Sequence, residues 1–213
     1  MKLKVLWLLI ALISSPTLSA EPEWQLWRNR AEVQVYSRPS HNGIIEIRAT
    51  TRVKTTLSAF IALLHDTERL PEWMESVSKV TVINEPDRTH DIVHTKFKAP
   101  WPIVDRDMVT SSEYHQPTPC SLVLEIIDNH GALPELEDHV RIIGVTTRWT
   151  LEQRADGIAL IDYRAHANVS GKLPLWVANR LSLQTAFNTF SALRLELEKE
   201  SYQAQTVEGI ANC

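Results

Sequence analysis

Six strand-like segments follow one another between residues 77 and 168, and one long helical segment follows them. Alternating apolar and polar residues predict strands at 77–84, 90–98, 107–115, 121–129, 139–152 and 158–168. Because short turns join these strands, neighbours must pair antiparallel, and such a sheet has one face that needs cover. The predicted helix 175–199 has an apolar stripe that includes Leu183, Phe187 and Phe190, and it is the obvious cover.

The region before residue 77 predicts a mixture of helices and strands. A helix is predicted at 23–30, strands at 32–37 and 45–53, and further helices at 57–65 and 70–75. The fold class is therefore α+β, in a single domain of about 180 residues at 21–200, a length that fits one core. Residues 201–213 are predicted to form a flexible tail.

The first twenty residues predict a signal peptide. Lys2 and Lys4 precede an apolar run at 5–13 that is short for a membrane span. Cleavage after Ala20, cleavage after Ser19 and a retained anchor are all compatible with the sequence. We therefore expect an exported protein, periplasmic or secreted.

Charge and cysteine content narrow the partners. The net charge is −4 and no basic run is present, which argues against nucleic-acid binding. Export would permit a disulfide between Cys120 and Cys213. A bridge from a frayed terminus is unfavourable, however, so the sequence favours unpaired cysteines.

No motif for metal, cofactor or nucleophilic chemistry is visible. His90 and His94 have the spacing of a helical pair but fall on a predicted strand. The chain has no His-Glu-x-x-His and no Gly-x-Ser-x-Gly. We predict no catalytic residues, no metal and no cofactor.

The order of several weak motifs resembles the START domain family, over about residues 23–199. In the first half of the chain, the motifs are Trp24 and Trp27 before the strand at 33–38, the segment 63–66 followed by Trp73, and the segment from Pro100-Trp101-Pro102 to Val109. In the second half, they are Val140-Arg141 followed by the segment 149–151, then Asp162-Tyr163, and the segment 171–176 before the last helix. The resemblance implies a helix-grip fold, in which a curved antiparallel sheet wraps around a long C-terminal helix. It further implies a tunnel for one sterol, phospholipid or similar lipid, and an exported bacterial single-domain protein.

Two arginines are candidate contacts for the polar part of a lipid. Arg141 has the strand parity of Val145 and Trp149, which places it on the apolar face unless it pairs with an acid (Asp105, Asp107 or Glu125) or extends to water. Arg106 lies between two aspartates, and a local ion-pair network is favoured over a place in the tunnel.

Aromatic and aliphatic side chains complete the predicted site. Trp149, Leu183, Phe187 and Phe190 are predicted to form core or cavity wall, and Trp101 and Trp176 a gate that contacts a membrane transiently. The candidate ligand-binding residues are Arg141, Trp149, Trp101, Arg106, Leu183, Phe187 and Phe190.

Three functions remain open at this point. The leading one is a non-enzymatic lipid-binding protein that sequesters or transfers one hydrophobic ligand. The second is a helix-grip enzyme similar to cyclases and dehydratases, with Arg141, Asp105 and His94 or His139 in acid–base roles. The third is a ligand-free interaction module of the cell envelope.

Overall fold

A large antiparallel sheet dominates the computed structural model, which describes residues 22–40, 43–169, 173–211 and 213. The predicted signal peptide lies outside the described residues. The strands are β1 (Gln25–Arg30), β2 (Val33–Pro39), β3 (Ile45–Lys54), β4 (Val77–Asp87), β5 (His90–Phe97), β6 (Arg106–Thr118), β7 (Ser121–Asp128), β8 (Val140–Arg141), β9 (Ile143–Gln153) and β10 (Ile158–Asn168). The helices are α1 (Leu57–His65), α2 (Leu70–Trp73), α3 (Leu175–Leu197) and α4 (Glu200–Gln203).

The sheet connects distant parts of the chain. Its order is β1-β2-β3-β10-β9-β7-β6-β5-β4, and the short β8 pairs parallel with β6. The last strand therefore lies beside β3, while the hairpins of the middle of the chain extend to the β4 edge. The helix α3 packs against β2 and β3, and α1 and α2 lie at the same concave side near α4 and β4. The predicted α+β helix-grip fold is confirmed.

An aromatic cluster joins the sheet to the helices. The Trp149 ring stacks on Phe190 of α3 at a centroid distance of 5.4 Å and contacts Phe60 of α1 at 5.5 Å. The helix α1 begins at a side-chain cap, because Thr56 Oγ1 accepts a hydrogen bond from the Ala59 amide at 3.0 Å. Its aromatic Phe60 is fully buried. One continuous core thus connects α1, α3 and the centre of the sheet.

The predicted helix at 23–30 is wrong, because these residues form β1. They pair with β2 through a turn at Ala31 and Glu32, whose φ angles are +51° and +62°. A two-residue hairpin turn of type I′ needs positive φ at both positions, and glycine or asparagine usually signals it. Neither residue is present at this turn, so the sequence did not indicate a hairpin.

The C-terminal residues are attached to the sheet, and the favoured prediction of unpaired cysteines is wrong. Cys120, in the β6–β7 turn, forms a disulfide with Cys213. The side chain of Gln116 exchanges two hydrogen bonds with the backbone of Ala211, each of 2.8 Å. Further back, the buried Tyr202 donates to Asp66 Oδ2 at 2.9 Å. Tyr202, Ala211 and Cys213 are thus in contact with the rest of the fold, and the flexibility of residues 201–213 stays a prediction.

Candidate functional site

Two adjoining cavities lie between the sheet and the helices. The first, of about 360 Å³, is bounded by α1 and strands β4 to β6 and is called the α1 chamber. The second, of about 420 Å³, is bounded by α3, β3, β10 and the loop at 98–105, and is called the α3 chamber. Both are lined by Met74, Phe97, Met108, Ile126 and Trp149, so they share a wall.

Strand β6 runs along both chambers. Its even-numbered side chains point to the concave side, so Arg106 lines the α3 chamber, Met108 lines both, and Ser112 and Tyr114 line the α1 chamber. At roughly 3.4 Å per residue, this row extends about 27 Å from Arg106 to Tyr114. The same row of side chains therefore borders both chambers.

The α1 chamber has a polar end. Asp91, His65, Arg88 and Tyr114 line it, and His65 Nε2 lies 3.6 Å from Asp91 Oδ2. Burial raises the pKa of Asp91 above its ordinary value, although the nearby His65 opposes this shift. Tyr114 is buried, and its hydroxyl donates to the Arg88 carbonyl oxygen at 3.1 Å. This end offers hydrogen-bonding groups to a ligand.

None of these four polar residues was predicted from the sequence. The signal that could have found them is the alternation along two neighbouring strands, β5 and β6. Asp91 shares its face of β5 with Val93 and Thr95, as Ser112 and Tyr114 share theirs on β6. A few polar groups on a mainly apolar wall are typical of a ligand cavity.

The α3 chamber is more apolar, with a few polar groups near its rim. Ile45 and Ile47 of β3 and Phe190 of α3 contribute to its apolar wall. Arg106 and His166 are the partly or fully buried basic groups that line it. The His166 Nδ1 atom is buried and has no hydrogen-bond partner among the described residues.

Arg106 is buried and makes no ion pair with any of the described residues. Its residue is 8% exposed, and within the described chain its guanidinium donates one hydrogen bond, to the Val104 carbonyl oxygen. Loss of hydration lowers the pKa of this arginine, although the neighbouring Asp105 has the opposite effect. Asp105 itself accepts a hydrogen bond from the Ala99 amide at 2.9 Å. The favoured interpretation, a local ion-pair network that holds this loop onto the sheet, does not hold for Arg106 among the described residues, because Asp107 pairs with Arg141 instead.

Arg141 is a structural residue and is not among the described residues that line either chamber. Its Nε lies 3.0 Å from both oxygens of Asp107, and its Nη2 lies 2.8 Å from Asp107 Oδ2. The other guanidinium hydrogen bonds go to the carbonyl oxygens of His130, Leu133 and Pro134. The ion pair was one of the predicted alternatives, and the structure selects it.

The parity that suggested a ligand role for Arg141 fails because the strand is interrupted. The chain leaves β8 after Arg141, and Gly144, with φ of +63°, bends the start of β9. Arg141 pairs with Asp107, whose side chain points away from the chambers, whereas Val145 and Trp149 point into them. A single irregular step thus places Arg141 and Trp149 on opposite faces.

The aromatic candidates divide into lining and packing residues. Trp149 lines both chambers and Phe190 lines the α3 chamber. Leu183 is buried and Phe187 half-buried in the adjoining core, but neither is among the described lining residues. Instead, the guanidinium of Arg28 lies over the Phe187 ring, with the Arg28 Cζ atom 4.7 Å from the ring centroid.

Two candidate gate residues are largely exposed. Trp101 is 93% exposed and Trp176 is 72% exposed. Their neighbours Pro100, Ile103 and Leu175 line the α3 chamber, so both rings lie beside its rim without entering it. The Trp101–Pro102 peptide bond is cis.

The residues of the predicted acid–base site do not gather at a chamber, although His94 and Arg141 both bond to Asp107 on the opposite face of the sheet. His94 donates through Nε2 to Asp107 at 2.9 Å, on the face that also holds Arg141. His139 contacts Asp138 at 2.6 Å. Neither histidine is among the described residues that line a chamber. In the described parts of the chain, no group of three or more His, Cys, Asp and Glu side chains could hold a metal ion.

The sheet closed by one long helix, with cavities between them, defines a helix-grip protein. A model of the START domain family matches residues 11–200, which is most of the chain. The chain belongs to the START domain family.

Solved structures share this fold. The STAR-related lipid transfer protein of Xanthomonas axonopodis is 27% identical, with a TM-score of 0.76 over 83% of this chain and 99% of that chain. Human STARD10 is 22% identical, with a TM-score of 0.74 over 86% of this chain and 76% of that structure. The sequence match to human START domain-containing protein 10 covers 57% of that protein's length.

More distant neighbours include an aromatase/cyclase from Streptomyces sp. R1128. It is 11% identical with a TM-score of 0.51 over 76% of this chain, a likeness that shows the fold alone. Among the described helices, none is long and apolar enough to cross a membrane.

Proposed function

We propose that this protein binds one hydrophobic ligand, such as a sterol, phospholipid or fatty acid, in the α1 and α3 chambers. The single observation that carries the proposal is the pair of adjoining, mainly apolar cavities between sheet and helices. Family membership supports a lipid-binding role.

The size and lining of the chambers support this function. Ligand sites usually measure about 300–1,000 Å³ and combine an apolar wall with a few polar groups. The chambers, of about 360 and 420 Å³, share their Trp149 wall and have polar groups at separate places. Each methylene that a ligand transfers from water to such a wall contributes about 0.8 kcal/mol.

Native mass spectrometry of the purified protein tests the proposal. We expect one co-purified lipid per chain, or uptake of one labelled sterol, phospholipid or fatty acid. Ala165 of β10 lines the α3 chamber, so Ala165→Trp should fill the cavity and reduce uptake at least tenfold. Ala155, in the exposed β9–β10 turn, gives the matched control Ala155→Trp. No bound lipid and no uptake by the folded protein would overturn the proposal.

We further propose that Trp101 and Trp176 contact a membrane surface during lipid exchange. Aromatic rings favour the membrane–water interface, and these two lie beside the rim of the α3 chamber. The double variant Trp101→Ala with Trp176→Ala should bind lipid vesicles several-fold more weakly. Leu195→Ala is the matched control, because Leu195 is 65% exposed near the other end of α3. Equal vesicle binding by all three proteins would contradict this surface.

Export to the periplasm or the cell exterior is also proposed. The Cys120–Cys213 disulfide supports it, since such bonds persist mainly in oxidising compartments. Fractionation of cells that express the full chain, with mass measurement of its N-terminus, tests this. A cytosolic, uncleaved and reduced protein would contradict export.

A further inference from the structure

We propose that the ligand of the α3 chamber is an anionic amphiphile, whose acidic group binds Arg106. This inference rests on the proposed function, because it names the chemical class of the ligand. It goes beyond that function by assigning the charge of the ligand, its anchor and its direction in the cavity.

Arg106 is buried, and most of its hydrogen-bond donors have no partner within the described chain. A guanidinium has five N–H donors and stays charged in proteins. Here one hydrogen bond, to the Val104 carbonyl oxygen, is made within the described chain, although the residue is only 8% exposed. Burial of a charge without a partner is costly, and a ligand oxygen would offset that cost.

Arg106 lies at the start of β6, where its side chain can reach a ligand in the α3 chamber. Its side chain lines the α3 chamber, and the next inward residue of β6, Met108, lines both chambers. An acid bound to Arg106 would therefore extend its apolar part along β6, past Met108 and Trp149. The rim loop at 98–105 would lie next to the acidic group, and the apolar part would point away from the rim.

The other polar groups of the chamber favour an anion over a cation. The exposed Lys98 and the partly buried His166 also line it, and the His166 Nδ1 atom is buried and unpartnered among the described residues. One acidic residue, Glu75, is on the described lining, and it is exposed. Asp105 makes its own hydrogen bond to the Ala99 amide at 2.9 Å, so an acidic ligand would add a strong acceptor for Arg106.

The acidic group can be a carboxylate or a phosphate ester, which share the chemistry that arginine recognises. Two pairs of probes separate these sources. The first pair is cis-parinaric acid and its methyl ester, which are fluorescent and have the same chain. The second pair is an oleoyl lysophosphatidic acid and monooleoylglycerol, measured by displacement of the fluorescent probe.

We expect the wild-type protein to bind the acid of at least one pair about tenfold more tightly than its neutral partner. Arg106→Gln should abolish that preference, with the affinity for the neutral partner kept within about twofold. Arg106→Lys should retain part of it, since the charge stays but the planar fork is lost. Arg154→Gln, a change of an exposed arginine in the β9–β10 turn, should behave as wild type.

Two outcomes would overturn the inference. One is equal binding of acid and neutral partner by the wild-type protein in both pairs, a result that needs no variant to fold. The other is a preference for the acid that persists in Arg106→Gln. Failure of all four probes to bind would instead count against the proposed lipid-binding function, so the two failures are distinguishable.

Discussion

Arg141 and Arg106 lie on neighbouring, parallel-paired strands, and both are more than nine-tenths buried, yet their surroundings differ. Arg141 makes a short ion pair with Asp107 and donates to three carbonyl oxygens on the outer face of the sheet. Arg106 points to the concave side and makes one hydrogen bond within the described chain. A complete set of partners marks a structural charge, whereas an incomplete set next to a cavity leaves capacity for a ligand.

The largest loss of stability is expected when the ion-pair partner of Arg141 is removed. Asp107→Ala removes the carboxylate that neutralises Arg141, whose side chain is 2% exposed. An uncompensated buried charge lowers the free energy of unfolding by about 3–5 kcal/mol. Urea denaturation followed by circular dichroism measures it. A loss below about 1 kcal/mol would show that Arg141 finds other acceptors.

A smaller loss is expected when Asp107 keeps Arg141 and loses its second partner. His94→Phe removes the hydrogen bond from His94 Nε2 to Asp107 Oδ2, which is 2.9 Å long. Hydrogen bonds to charged groups contribute about 1.5–3 kcal/mol. The same urea denaturation should give a loss in this range, well short of that of Asp107→Ala. Losses as large as that of Asp107→Ala would mean that the Arg141–Asp107 pair contributes nothing beyond the hydrogen bond from His94.

The free energy of unfolding at acid pH should depend on Asp107. Burial raises the pKa of this carboxyl, but hydrogen bonds from Arg141 and His94 outweigh that effect and hold the pKa below its ordinary value. A lowered folded-state pKa gives stability above the ordinary value of about 4 that is lost as the pH falls through the folded-state pKa. Asp107→Asn should therefore flatten the dependence of unfolding free energy on pH below about 4. An unchanged slope would contradict this assignment.

The smallest effect is expected at Arg106. Arg106→Met removes a charge that lacks an ion pair within the described chain and replaces it with an apolar side chain of similar length. Because the cost of desolvating the guanidinium disappears, the free energy of unfolding should change by less than about 1 kcal/mol. An exposed pair, Arg148 with Glu125, provides the control, since Glu125→Gln should leave stability unchanged within error. A loss of several kcal/mol at Arg106 would make it structural, as Arg141 is.

Much of the fold follows from period-two patterns. The strands at 45–54, 90–97 and 158–168 were predicted within a residue or so. In the first and last of these strands, one face is more buried than the other, which produces the alternation of apolar and polar residues. The long helix α3 and its apolar stripe were predicted for a similar reason. Local alternation and helical periodicity are written in the sequence wherever a single face is buried.

The errors concern single backbone steps and distant pairings. Ala31 and Glu32 form the hairpin turn with positive φ angles, and the sequence has no glycine there from which the turn could have been predicted. The interruption before Gly144 reversed the face assigned to Arg141, which moved it from the candidate site to the scaffold. The Cys120–Cys213 bond depends on where the chain ends in space, and periodicity has no information on that.

The two ends of α3 are attached to the rest of the fold by different contacts. Beyond the C-terminal end of α3, the chain is fastened by Tyr202 to Asp66 and by the disulfide to the β6–β7 turn. Near the other end, one exposed hydrogen bond of 2.9 Å connects Asn179 to the Gly43 carbonyl oxygen. The C-terminal end of α3 is therefore more deeply buried and more firmly held than the end that carries Trp176, which lies beside the rim of the α3 chamber.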